Sequence, residues 1–176
     1  MVGEGQKIEV LISADALAER IRELGRELSR DYAGKDLAIV AVLKGSFIFL
    51  ADLVRAIDVD CTVDFLATSS YGDETQSSGI VRLALDLTAP IEGRDVLLVE
   101  DIIDTGLTMK YLLDNLATRH PASLRICTLL HKPARNEIVV PIDYKGFTIE
   151  DRFVIGYGLD YCQKLRNLPY IGHKVG

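Results

Sequence analysis

A chain of 176 residues, 48% hydrophobic and 26% charged with a formal net charge of −6, can bury one core without disulfide or metal staples. Its acidic balance excludes a broad basic face for nucleic acid or an anionic membrane. The three cysteines, Cys61, Cys127 and Cys162, are scattered and form no C-x-x-C pair, as buried or idle thiols in a reducing compartment would be. The opening MVGEGQKIEV has no apolar leader region, and no apolar run reaches about 18 residues. A soluble, cytoplasmic protein without a membrane partner is expected.

In chain order, Ser13 is placed to cap a helix whose apolar positions Leu17, Ile21, Leu24 and Leu28 step by four, three and four. Gly25 weakens that helix by roughly 1 kcal/mol. Residues 37–43 (LAIVAVL) are a continuous apolar run of strand length, followed by the turn Lys44-Gly45-Ser46 and a helix over 47–57. A second strand over 61–69 and a third over 80–86 flank the polar stretch SSYGDETQSSG at 69–79. A strand opening at Val96 follows, then a helix over about 105–118 and a buried strand at 124–130. Shorter strands are expected near Tyr144–Thr148 and at 153–157, and the final ~40 residues, lacking helical periodicity, should cap the sheet edge. Strands alternating with helices predict α/β architecture, a mostly parallel twisted sheet flanked by helices with right-handed crossovers. No repeat or linker divides the chain. The expected organisation is one domain over 1–176, with a core at about 8–130 and a small C-terminal hood at about 131–172 joined by the N-terminal segment.

The most informative stretch is VLLVEDIIDTGLT at 96–108. Val96, Leu97, Leu98 and Val99 suit a strand buried on both faces. Glu100 and Asp101 follow where that strand should end, and Asp104, Thr105, Gly106 and Thr108 form a polar turn into the helix. Open α/β sheets bind ligands at the carboxyl ends of their strands, and helix N-termini present free amides to phosphate. One segment thus offers carboxylates for hydroxyls or a metal beside an amide cradle, a combination suited to a phosphorylated sugar. The plain alternative is a strand running into a capped helix, with solvated acids at the turn. Competing motifs fail on spacing: neither G-x-x-x-x-G-K-[ST] nor G-x-G-x-x-G is present. Asp101 and Asp104 lie three apart, not two as in aspartyl-phosphate phosphatases.

The same string resembles the 5-phosphoribosyl-1-diphosphate (PRPP) signature of the type I phosphoribosyltransferases, and over about 37–172 the chain is similar to their hypoxanthine-guanine branch. The resemblance implies that family's fold, with Mg²⁺ as cofactor. It implies transfer of the phosphoribosyl group from PRPP to N9 of hypoxanthine or guanine, giving IMP or GMP and pyrophosphate. An oxocarbenium-like state would be stabilised by positioning and charge. Asp104, Thr105, Gly106, Leu107 and Thr108 would surround the 5-phosphate, Leu107 through its backbone N–H alone. Glu100 and Asp101 would accept from the ribose 2- and 3-hydroxyls and hold the Mg²⁺. Asp104 would face the purine's imidazole nitrogen, as base for the N7 proton or as an orienting acceptor. Lys44 and Gly45 match the first pyrophosphate loop, where the Leu43–Lys44 bond can be cis, and Arg166 matches the pyrophosphate arginine. Ser70 and Tyr71 match the mobile lid that excludes water.

For the base, the resemblance assigns Lys132, whose ammonium can only donate and so suits a 6-oxo group rather than the amino group of adenine. Phe153 would stack on the purine, and Val154 would present backbone groups to its Watson–Crick edge. Asp160 would accept from a guanine amino group and reach a second metal. His120, His131 and His173 match no position of the family. The implied partners are the small molecules PRPP, hypoxanthine and guanine, with a homo-oligomeric assembly, dimer or tetramer, and no nucleic acid. The rivals are an RNA-binding regulator on the same fold, against which the acidity and Lys132 argue, and a transferase for another base such as xanthine.

Overall fold

The computed structural model describes residues 7–70 and 81–175. Its elements are β1 (Lys7–Ile12), α1 (Ala14–Asp31), β2 (Leu37–Leu43), α2 (Phe47–Ala56), β3 (Cys61–Ser70), β4 (Val81–Leu85), β5 (Asp95–Ile103), α3 (Leu107–Ala117), β6 (Ser123–His131), β7 (Tyr144–Thr148), β8 (Val154–Ile155) and β9 (Ile171–Val175). A six-stranded sheet runs β4-β3-β2-β5-β6-β7, parallel except for the antiparallel edge strand β4. A smaller sheet runs β1-β9-β8 and is antiparallel.

The apolar runs are continuous because the central strands are buried on both faces. In β2, Leu37, Ile39 and Ala41 join the core beneath α1 and α2, while Ala38, Val40 and Val42 join the core beneath α3. β5 divides the same way, with Leu97 and Val99 on one face and Val96 and Leu98 on the other. This division follows from handedness. From β2 the chain moves through α2 to β3 on one side, and from β5 it moves through α3 to β6 on the other. Right-handed crossovers in opposite directions put their helices on opposite faces. The topological switch therefore falls between β2 and β5, where open sheets form their ligand crevice.

Ser13 caps α1, its Oγ accepting from Ala16 N at 3.2 Å. Gly25 has a packing reason that its helix propensity hides. A Cβ there would lie 2.3 Å from the Ala56 carbonyl oxygen, so the glycine sets the close approach of α1 to α2.

Four elements differ from the sequence expectation. β5 continues past Val99 through Glu100 and Asp101 to Ile103, because β6 still pairs with it there. β8 is cut to two residues by the left-handed backbone of Gly156 (φ +94°), Tyr157 (φ +51°) and Gly158 (φ +102°). β1 and β9 are additions; each is short, and they satisfy their backbone groups mainly with each other. Among the described residues, no helix is long and apolar enough to cross a membrane.

Candidate active site

The crevice opens where two strands part. β2 pairs with β5 only as far as Ala41–Val99, whereas β6 accompanies β5 to Ile103–His131. The next residues of β5, Glu100 and Asp101, thus face a gap that β2 has vacated. Glu100 is only 8% exposed and accepts from Asp101 N at 3.1 Å, while Asp101 Oδ1 accepts from Ile102 N at 2.8 Å. Burial, then the adjacent Asp101 charge, pushes the Glu100 carboxyl well above the usual carboxylate range. Burial also raises Asp101, against the opposing pull of its hydrogen bonds and of the Arg166 charge. Two crowded, desolvated carboxyls are what a cation or a pair of sugar hydroxyls would relieve.

Lys44, Gly45 and Arg166 converge on these acids. They line one cleft of about 550 Å³ together with Glu100, Asp101, Thr108 and Asp160. The Leu43–Lys44 peptide is cis. A Cβ on Gly45 would stand 1.5 Å from Asp101 Oδ2, so only glycine admits the carboxylate at that position. At Gly158, where φ is +102°, a Cβ would stand 2.1 Å from the Gly45 carbonyl oxygen. The missing side chain lets the segment after β8 close on the loop after β2. Arg166 donates to the Gly158 carbonyl at 2.7 Å and pairs with Asp160 at 2.8 Å.

The turn after β5 forms a second, smaller hollow of about 90 Å³, lined by Glu100, Ile102, Ile103, Asp104, Thr105, Gly106, Thr108 and Met109. Gly106 (φ +83°) is the residue before the first turn of α3, and Leu107 N donates to Thr105 Oγ1 at 3.4 Å. Glu137 N and Ile138 N both donate to the Thr105 carbonyl at 3.0 Å, so the segment after β6 braces the turn from outside. Asp104 presents a buried Oδ1 with no hydrogen-bond partner. The nearest cation to that oxygen is the Arg135 guanidinium, with Nε 3.3 Å away.

The base-side residues are less gathered. Lys132 is 6% exposed, with Nζ 3.9 Å from Asp151. Phe153 is 60% exposed, in edge contact with Tyr161 at 6.0 Å, and lines a separate surface hollow with Arg152, His173 and Lys174. Val154 is buried in β8, an edge strand paired only with β9, which leaves its other edge without a strand partner among the described residues.

Asp160 pairs with Arg166 and accepts from Gln163 N (2.8 Å), and among the described residues no group of three or more His, Cys, Asp or Glu side chains is placed to hold a metal ion. Tyr71, expected in the lid, and the rest of 71–80 lie outside the described residues, as does the Ser70 side chain. Sequence reasoning also missed Arg135, Asn136, Asp151 and Gly158, which are near in space but carry no motif.

A parallel sheet that holds buried carboxylates beside an amide cradle at its switch point defines a class, the α/β enzymes that act on phosphorylated ligands. Residues 11–162 match the phosphoribosyl transferase domain, and the chain belongs to that family. A hypoxanthine-guanine phosphoribosyltransferase of Mycobacterium avium is 52% identical over 169 residues, covering 93% of this chain and 83% of the relative. The hypoxanthine phosphoribosyltransferase of Escherichia coli K12 is 48% identical, covering 96% of each chain. Among solved structures, a Bacillus anthracis hypoxanthine-guanine phosphoribosyltransferase with HEPES in its active site matches with a TM-score of 0.91 and 45% identity, over 96% of this chain and 100% of that one. A Trypanosoma cruzi hypoxanthine phosphoribosyl transferase, studied for the role of its C-terminal region in oligomeric state and activity, matches at 0.89 and 39% identity, over 98% and 93%.

Proposed function

We propose that this chain transfers the 5-phosphoribosyl group from PRPP to N9 of hypoxanthine or guanine, giving IMP or GMP in cytoplasmic purine salvage. The N9–C1 bond forms, the C1–oxygen bond to diphosphate breaks, and the N7 proton passes to the Asp104 carboxylate. The observation that carries this reading is the convergence of Glu100, Asp101, Lys44, Gly45 and Arg166 on one cleft beside the Asp104–Thr108 turn.

In this reading the backbone N–H groups and hydroxyls of Thr105, Gly106, Leu107 and Thr108 hold the 5-phosphate, with the positive end of α3 behind them. Glu100 and Asp101 accept from the ribose hydroxyls. Lys44, the Gly45 backbone and Arg166 bind the diphosphate. The two buried acids also fit Mg²⁺, an ion held by one or two carboxylates together with substrate phosphates rather than by an all-protein cage. When bound, Mg²⁺ neutralises charge on the departing diphosphate. Lys132 donates to the 6-oxo group, while Phe153, Val154 and Asp160 form the wall and edge contacts of the base, and Ser70 and Tyr71 belong to the lid. The small sheet and residues 131–172 act as the hood of a single domain. The enzyme works as a homo-oligomer on small molecules, with neither nucleic acid nor membrane as partner. A panel of hypoxanthine, guanine, xanthine, adenine and orotate with PRPP and Mg²⁺ tests this. Hypoxanthine and guanine should be converted with release of pyrophosphate, and conversion of adenine at a comparable rate would overturn the base assignment.

A further inference from the structure

Between the two halves of the site lies a row of alternating charges. Arg135 Nε stands 3.3 Å from Asp104 Oδ1, and Arg135 Nη1 stands 3.7 Å from Asp151 Oδ1. Lys132 Nζ is 3.9 Å from that same Asp151 oxygen. Asp104, Arg135, Asp151 and Lys132 thus run negative, positive, negative, positive. Arg135 is held at the end of a short 3-10 turn, Pro133–Arg135, that begins directly after Lys132.

A second connection, through Asn136, fixes the same two residues by their backbones. With its amide oriented by the hydrogen-bond network, Asn136 donates to the Asp104 carbonyl at 2.6 Å and to the Lys132 carbonyl at 3.2 Å, and accepts from His131 Nε2 at 3.1 Å. Lys132 N donates to the Ile103 carbonyl at 2.9 Å. The backbone of the turn is therefore braced without Arg135. What Arg135 adds is control of the Asp104 carboxylate, whose Oδ1 is otherwise buried and unpartnered.

We propose that Arg135 is a positioning residue that holds the Asp104 carboxylate toward the purine and, through Asp151, couples it to Lys132. This rests on the reading of Asp104 as acceptor of the N7 proton. The ion-pair distances are too long for tight hydrogen bonds, and Arg135 and Asp151 are about half exposed, with side chains 50% and 52% accessible. Such loose, solvated pairs add little to stability. They can still aim a charge, because Arg135 faces the buried Oδ1 and leaves the other carboxylate oxygen to accept from the purine. A 6-oxopurine touches both ends of the row at once, through its 6-oxygen and its N7 proton, so the row senses that pattern as a unit.

The test is a double-mutant cycle on the full chain with hypoxanthine, PRPP and Mg²⁺. Arg135→Gln should lower kcat about tenfold, a coupling of ordinary size for neighbouring charges, with KM for PRPP unchanged. Arg135→Lys should recover part of the loss. In the Asp104→Asn background, Arg135→Gln should cost nothing further. An equal loss in both backgrounds, or no loss in either while Asp104→Asn remains impaired, would overturn the role of Arg135 alone. A fully active Asp104→Asn would instead overturn the acceptor reading, and this inference with it. Should Arg135→Gln not fold, Asp151→Asn supplies the same cycle against Lys132→Ala, with overlapping effects on KM for the base expected and additive effects contradicting the coupling.

Discussion

The proposed phosphoribose half of the site and the proposed base half are built by different means. The first comes from a single run, Glu100 to Thr108, in which one strand end and one helix start fix every group relative to its neighbours. The second is assembled from Lys132 after β6, from Phe153 and Val154 around β8, and from Asp160 beyond it, with a strongly exposed aromatic among them. A contiguous site draws its geometry from local backbone. A dispersed one depends on long-range packing and on side chains that ligand must finish ordering.

The largest expected effect tests the junction of the halves. Asp104→Asn keeps the shape of the turn but cannot take a proton. It should lower kcat by about 10²-fold or more, as for loss of a general base, with KM for PRPP little changed. An unchanged kcat in steady-state assays would leave Asp104 a structural element of the turn and remove the link between the two halves.

The same contrast decides what could be read from the sequence. Strand β2 was legible because burial on both faces writes an uninterrupted apolar run, β6 because its apolar residues are broken only by Arg125 and Thr128, and α1 because Leu17, Ile21, Leu24 and Leu28 form one stripe beneath a serine cap. The acids at 100 and 101 were legible as a pair, but not the continuation of β5 beneath them, since strand pairing on one side only leaves no compositional mark. β1 and β9 escaped because each is stabilised by the other across more than 150 residues of chain. Arg135 and Asp151 are ordinary surface charges in the sequence, and only the fold sets them between Asp104 and Lys132. The packing role of Gly25 was likewise invisible, because it lies in the other helix.

On the base side, Lys132→Ala should raise KM for hypoxanthine and guanine together. The lost bond to a charged donor is worth about 1.5–3 kcal/mol, roughly 10–150-fold in KM. Asp151 is half exposed and stays solvated when its partner is gone, so the fold should tolerate the change. Adenine should remain a poor substrate. Equal KM values for wild type and variant would separate Lys132 from the base.

On the phosphoribose side the sensitive group is backbone. Gly106→Ala would place a Cβ 2.1 Å from the Ile138 carbonyl oxygen at a φ of +83°. The conformation alone costs about 1–3 kcal/mol for a residue with a side chain, enough to lower Tm by several degrees in a chain of this size. KM for PRPP should rise while relative preference among bases stays as in the wild type. A shifted base preference with unchanged KM for PRPP would show that the turn serves the other half.

The smallest effect belongs to the most exposed participant. Phe153 is 60% accessible, so Phe153→Ala removes little buried surface, and thermal unfolding should move hardly at all. Its proposed contribution is made only with the purine in place, as a stacking contact worth about 0.5–1.5 kcal/mol. That corresponds to roughly a 2–12-fold rise in KM for the base, with KM for PRPP unaffected. Phe153→Tyr keeps the ring and should restore the wild-type value, whereas Phe153→Leu keeps apolar bulk and should not. Rescue by leucine would mean that Phe153 acts by excluding water rather than by stacking, and the dispersed half would then rest on Lys132 and backbone contacts alone.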